Sequence, residues 1–386
     1  SMKNGTEHDM TQGAVAVPLI GFTIPLVLGN FFQLFYNAAD SIIVGRYVGE
    51  RALAAVGTST PVMNLVILLI SGLCMGASIL MSSQFGAGNY EQLSRQISTT
   101  LLSGCGFSIG FSVLTILVSE PLLRLIQVPK EVMPDALAYL RIIFIGILFT
   151  FIYNFLANTL RALGDSKTPL YFLVFSSVLN IILDIVFIVP MHMGVAGAAW
   201  ATILSQFLSA VFSTVVGLRN FPILHLRRED FHDLKGAAVL HLKTGFPMGF
   251  QMSVMCIGQL AMQAVVNSLG TAAVAGYTAA SKADQLSVLV NNAMMTAISN
   301  YVAQNFGAGK KDRIRLGVRA SLIQTEAFNI LMCIGILLLR HPIVELFLSN
   351  PTAEIYHYSD AFLTIEAPFY FLLGLLAVYR TSIQSM

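Results

Sequence analysis

The sequence predicts an all-α polytopic membrane protein made of two related six-helix lobes, with ten helices present and the last two missing. Three observations carry this expectation. Hydrophobic residues make up 55% of the chain, charged residues 11%, and the mean hydropathy is +0.73, whereas soluble domains carry roughly 25% charged residues. So much apolar surface over 386 residues cannot be hidden in one aqueous core. The apolar runs reach the ~20 residues of a bilayer crossing and do not alternate as barrel strands would. The third observation is an internal match between the two halves of the chain.

Ten spans are expected in order, at about 15–45, 52–83, 92–119, 133–160, 168–190, 194–217, 240–268, 273–304, 315–340 and 355–386. The breaks carry turn residues, as in Gly86-Ala87-Gly88-Asn89, Gly164-Asp165, and Pro190 to Gly194. The two Phe-Gly-Ala-Gly blocks lack a GxxxxGK[ST] pattern and read as helix stops with glycine caps, not as phosphate loops. With the amino terminus inside, fourteen Lys and Arg fall on inner segments and five on outer loops. Positive charge collects on the cytoplasmic side of membrane proteins, so a cytoplasmic amino terminus and a multi-pass protein of the bacterial cytoplasmic membrane are expected.

Laying residues 49–88 on 270–309 gives ten identities in 40 positions, including Phe85-Gly86-Ala87-Gly88 on Phe306-Gly307-Ala308-Gly309. The repeats are parallel, because an even number of spans separates them. The expected organisation is an amino-terminal lobe at 14–218, an interfacial cytoplasmic linker at 219–238 and a carboxyl-terminal lobe at 239–386. Near the carboxyl end the offset is 223, which pairs Met386 with Leu163. The second lobe is therefore expected to have four helices and to lack the counterparts of spans five and six.

A net charge of +2 carries no nucleic-acid signal. The four cysteines (Cys74, Cys105, Cys256, Cys333) are scattered through apolar runs without metal spacing, which points to core packing. The informative residues are polar groups inside the spans. Asn30, Gln33, Asn37 and Asp40 recur at helical spacing in span one and form a polar stripe that ends in a carboxylate. Asp184 lies six residues before Pro190 in span five, with Asn180 and Ser177 on its face. Thr202 lies about two turns into span six. Counting rise per residue puts Asp40, Asp184 and Thr202 at one depth in the outer half. An ionised Asp at a helix centre costs about 2.5–3.5 kcal/mol on insertion scales, so two at one depth suggest a site for a proton or Na+. The acids would titrate as a coupled unit. Without His or Cys the site does not suit a soft metal. Arg141 in span four is the exception to the absence of a nearby cation.

In the second half the intramembrane polar groups are Gln259, Gln263, Lys282, Asp284, Glu326 and Glu366. Lys282 and Asp284 are two apart and do not share a helix face. Lys282, Asp284 and Glu366 form a candidate polar site, functional or paired across helices.

These residues resemble a known family. The run Asn30 to Arg46, Gly49 to Gly57, Phe85 to Gly88 and Arg161 to Pro169 are similar to the multidrug and toxic compound extrusion (MATE) transporters of bacteria. The amino-lobe acids look DinF-like. The resemblance covers essentially the whole chain and implies twelve helices in two lobes. It implies coupling at Asp40, with Asn180, Asp184 and Thr202 as the rest of an amino-lobe cation site. It also implies a substrate cavity lined by Gln33, Tyr36, Asn37, Asn154 and Asn158. The expected activity is export of amphipathic, often cationic drugs or toxic organic compounds in exchange for H+ or Na+. No other cofactor is expected, the surroundings are membrane lipid, and the transporter is expected to act as a monomer. A lipid-linked saccharide flippase of the same broad superfamily is the alternative, with Arg141 and Lys282 as cations for a pyrophosphate. An enzyme lacks a catalytic constellation, and lobed repeats with single-copy acids disfavour a channel.

Overall fold

The computed structural model describes residues 10–11, 13–125, 128–220, 224, 234–269, 271–347 and 351–386. Among them every regular element is helical. In order these are α1 (Ala16–Tyr47), α2 (Glu50–Gly86), α3 (Tyr90–Leu125), α4 (Met133–Ile145), α5 (Ile147–Ala162), α6 (Lys167–Ile188) and α7 (Val195–Asn220). Then follow α8 (Leu234–Ser268), α9 (Thr271–Gly307), α10 (Lys311–Leu338), α11 (Arg340–Phe347), α12 (Ala353–Glu366) and α13 (Tyr370–Gln384). Among the described residues seven helical spans are long and apolar enough to cross a membrane, or eight when α4 and α5 count as one. The protein is thus an all-α polytopic membrane protein. The expected seventh and eighth spans are α8 and α9, long helices outside that set. Of the expected linker, 221–223 and 225–233 lie outside the described residues.

Two expected spans are each broken in two. Span four bends by 49° between α4 and α5, at Gly146. Any side chain there would press on Ile203 of α7, since a Cβ would lie 2.7 Å from its Cγ1. The tenth span breaks at a 3₁₀ turn, Ala367–Phe369, which contains Pro368 and links α12 to α13. A missing amide hydrogen is tolerated at such a start. Elsewhere the ends are fixed by local chemistry. Gly88 and Gly309 both sit in the left-handed region, at φ 72° and 73°. Each donates its N–H three residues back, to Phe85 and Phe306, at 3.1 Å. Asp165 starts α6 by accepting from the amides of Lys167 and Thr168 at 3.0 and 3.1 Å.

By contacts the chain divides into two units, Phe31–Ser253 and Met10–Asn30 with Val254–Met386. Helix α1 therefore contributes its first half to the second unit and its second half to the first. In the first unit, Ile70 and Cys74 of α2, Leu93 and Ile97 of α3, and Phe151 and Phe155 of α5 belong to one core. A smaller core joins Ile43 and Val44 of α1 to Tyr139 and Ile143 of α4, Ile188 of α6 and Ala198 of α7. That second core sets the height and rotation of Asp40, one turn before Val44. In the second unit, Leu19, Phe22 and Leu26 of α1 pack with Ala297, Ile298 and Tyr301 of α9. The segment before α1 is tied there by polar contacts. Arg313 donates to the carbonyls of Met10 and Gly13 at 3.0 and 2.7 Å, and Lys310 donates to that of Thr11 at 2.7 Å.

Within the first unit α2 and α8 meet backbone to backbone at Gly72 and Gly249. A Cβ on Gly72 would overlap the Gly249 backbone, and one on Gly249 would lie 2.9 Å from the Leu69 carbonyl oxygen. Gly249→Leu should therefore lower stability by about 1–3 kcal/mol, the range for overpacking, read as a lower midpoint of thermal unfolding in detergent. Gly21→Ala, at a position with nothing within 4 Å, should leave the midpoint unchanged or raise it. Equal behaviour of the two variants would refute the close crossing.

Candidate functional site

Three helices bring the expected amino-lobe residues together. Asp40 comes from α1, Asn180 and Asp184 from α6, and Thr202 from α7. Asp184 is fully buried, Asn180 is 2% exposed and Asp40 9% exposed. The Asp40 and Asp184 carboxyl groups stand close enough to feel each other's charge. Asp40 Oδ1, both carboxylate oxygens of Asp184 and Asn180 Oδ1 are buried and have no hydrogen-bond partner. All four are acceptors, so what the cluster lacks is a donor or a positive charge. Thr202 spends its hydroxyl hydrogen on the Ala198 carbonyl at 3.0 Å, which leaves its oxygen lone pairs for the site.

A cavity of about 70 Å³ opens beside Asp40. It is lined by Tyr36, Asn37, Asp40, Tyr139, Thr150 and Thr202 among others. One water needs about 10–15 Å³ on this measure, and drug-sized ligands occupy about 300–1,000 Å³. The space therefore suits an ion and a few waters. Tyr36 and Tyr139 stand close enough to both acids to feel their charges. Thr150 donates to Gln206 Oε1 at 2.5 Å and so joins α5 to α7 along the cavity wall.

The other expected residues divide. Tyr36 is half-buried in the lining and Asn37 is exposed at it, while Gln33 is exposed and does not line this cavity. Asn154 and Asn158 continue the Thr150 face of α5 at four-residue spacing. Each donates to the carbonyl one turn back, of Thr150 and Asn154, at 2.8 Å. Neither lines the small cavity. Arg141 does not serve the acids. It is exposed, its Nε donates to Ser119 at 3.4 Å, and its guanidinium lies 4.0 Å from Glu120. In the second unit Tyr370 donates to Asp284 Oδ1 at 2.7 Å, and Glu366 stands close enough to Asp284 to feel its charge. The side chain of Lys282 lies outside the described residues.

Sequence reasoning missed Tyr139, Thr150 and Gln206. The signal was present, since each is a polar group in an apolar run. None carries charge, however, and α4 and α5 are on either side of a break the sequence does not announce. It also missed Tyr370, whose hydroxyl is one turn beyond Glu366.

Substituting Asp184→Asn places an amide donor against the Asp40 carboxylate. A hydrogen bond to a charged group is worth about 1.5–3 kcal/mol, so the variant should unfold at a higher temperature than wild type, and Asp184→Ala at a lower one. Matching midpoints for all three proteins would show that the two acids do not meet.

Comparison with known proteins agrees with this architecture. A family model described as MatE matches residues 25–186 and 247–386. The probable multidrug resistance protein YpnP of Bacillus subtilis is 35% identical over 369 residues, covering 95% of this chain and 82% of that protein. The probable multidrug resistance protein NorM of Thermotoga maritima is 28% identical over 345 residues, 86% of this chain and 72% of its own. Among solved structures, an outward-facing multidrug resistance MATE family transporter of the MOP superfamily superposes with a TM-score of 0.90 at 23% identity. That superposition covers 99% of this chain and 85% of the other and bears on the fold alone.

Proposed function

The chain belongs to the MatE family, and from that membership we propose that it is a secondary active multidrug exporter of the bacterial cytoplasmic membrane. It exports amphipathic, often cationic organic compounds in exchange for H+ or Na+, with its amino terminus in the cytoplasm. The names of the relatives support the export of drugs. The coupling reading rests on one observation, the cluster of four buried acceptors without a donor at Asp40, Asn180 and Asp184. A proton shared between the two carboxyl groups relieves their repulsion, and Na+ held by oxygens of Asp40, Asn180, Asp184 and Thr202 would engage the acceptors together. Hard monovalent cations favour such an all-oxygen set, and no soft ligand competes among these four residues.

In this reading the empty-handed acids repel each other and the loaded ones do not. Loading therefore changes how α1 packs against α6, and Pro25 gives α1 a place to bend because the ring removes one helical hydrogen bond. The change releases substrate outward. The cavity beside Asp40 is too small for a drug, so the ion site and the substrate site are distinct spaces that share Tyr36 and Asn37 as a boundary. Gln33, Asn154 and Asn158 belong to the substrate side. Among the alternatives, the saccharide flippase needs cavity cations for a pyrophosphate, and Arg141 is directed at Glu120 and Ser119 instead.

Asp40→Asn should abolish dye efflux while leaving expression and folding intact. The measurement is dye accumulation in inverted vesicles under an imposed pH or Na+ gradient. Accumulation by wild type that follows only one gradient identifies the ion. Undiminished efflux by the variant would sink the coupling assignment, and flux independent of either gradient would indicate a channel.

A further inference from the structure

Glu326 lies near the middle of α10, and both of its carboxylate oxygens are buried without a hydrogen-bond partner. Asn329, one turn on and 1% exposed, leaves its Nδ2 unpartnered. Its Oδ1 accepts from Asn291 Nδ2 of α9 at 3.0 Å. Asn291 is 7% exposed, donates also to the Ser287 carbonyl at 2.8 Å, and leaves its own Oδ1 unpartnered. Gly374 of α13 makes the space for this cluster. A Cβ built there would overlap both Glu326 Oε1 and Asn329 Nδ2, so these two atoms face one notch.

The count of donors and acceptors is uneven. Three buried acceptors, the two Glu326 oxygens and Asn291 Oδ1, stand against one buried donor nitrogen, Asn329 Nδ2, whose amide carries two hydrogens. When both hydrogens are used, one acceptor remains. One proton on Glu326 turns a carboxyl oxygen into a donor, and the deficit closes. No described cation pairs with the carboxylate, and an unpaired charge in this setting is expensive.

Packing alone does not ask for an acid here. The offsets of 221 and 223 that align the halves place Asn291, Glu326, Asn329 and Gly374 on Ile70, Cys105, Ser108 and Phe151. Buried positions keep the same register. Leu93, Thr100 and Ser108 of α3 answer to Ile314, Ser321 and Asn329 of α10. In the first unit Ile70, Ser108 and Phe151 line an apolar cavity of about 290 Å³. The same three-helix junction in the second unit carries an acid and two amides.

We propose that the junction of α9, α10 and α13 is a proton-binding site, in which Glu326 carries an exchangeable proton between Asn329 and Asn291. The titratable groups around it are Asp284 on α9, Glu366 ending α12, Tyr370 on α13 one turn before Gly374, and Cys333 on α10 one turn after Asn329. Tyr370 donates to Asp284 at 2.7 Å and Glu366 stands near enough to Asp284 to feel its charge, so these groups are engaged with one another. Arg319 of α10 and Tyr379 and Arg380 of α13 are exposed. The site lies within the second unit and does not depend on the role given to Asp40.

The test is modification of the purified protein by dicyclohexylcarbodiimide, an apolar reagent for protonated carboxyl groups, read by peptide mass spectrometry across a pH series. The Glu326 adduct should form at low pH, fall at least tenfold as pH rises, and be unaffected by Na+ at fixed pH. Glu326→Gln should remove the adduct and one protonated-acid carbonyl band from the infrared difference spectrum. Asn291→Leu, which restores an aliphatic residue as in the first half, should move the midpoint down by about one pH unit, the tenfold weakening expected for one lost hydrogen bond. Absence of both adduct and band at every pH would overturn the proposal. Protection by Na+ at constant pH would overturn it too, in favour of a sodium site.

Discussion

Water is absent from the hydrocarbon, so a polar side chain there must be answered from within the protein. In the first unit this constraint falls on the contact between Asp40 and Asp184. Asp184 is fully buried near the carboxyl-terminal end of α6 and cannot reach the interface as a lysine would. The surrounding elements are disposed accordingly. The core of Val44, Tyr139, Ile188 and Ala198 holds α1 against α4, α6 and α7, and the Asp165 cap fixes where α6 begins. Tyrosines supply polarity without charge beside the acids. What results is a dense pocket with acceptors in surplus and no donor among the described side chains to meet them.

Much of this was legible in the sequence because hydropathy and helical spacing are local properties. The ten expected spans correspond to helices or broken pairs, with ends that differ by a few residues. Counting depth along spans one, five and six brought Asp40, Asp184 and Thr202 to one level, and the structure sets their helices side by side. The breaks at Gly146 and Pro368 were not legible. A glycine or proline inside an apolar run is common in membrane helices, and only the close approach of Ile203 explains the first. Adjacency across helices was equally hidden. Nothing in the spacing of Asp284, Glu366 and Tyr370 shows that they meet, and Arg141 looked available to the acids until its neighbours Ser119 and Glu120 were placed.

The repeat relates the two acid clusters more closely than their sequences suggest. Asp284 corresponds to Met63, Glu366 to Ile143 and Tyr370 to Ile147 under the same offsets. Met63, Ile143 and Ile147 all line the cavity beside Asp40. The second unit therefore carries its acids on the walls that are apolar in the first, while Asp40 has Ala261 or Met262 as its counterpart. Equivalent backbones frame both places, and different helices supply the carboxyl groups. A comparison of residue types alone finds no second copy of the Asp40 stripe and so misses this correspondence.

The paired turns after α2 and α9 help explain which residues the two halves still share. Phe85 to Gly88 and Phe306 to Gly309 end in glycines whose φ angles differ by one degree and whose capping bonds are equal in length. A left-handed residue at that corner sets the direction in which the next helix departs, and side chains other than glycine adopt it at a cost. Membrane-embedded positions have no such restriction, provided size and polarity are matched locally. After an ancestral duplication, divergence could proceed freely along the helix faces but not at this bend. The chemistry of each half was thus open to change, while its chain path was held by one four-residue corner.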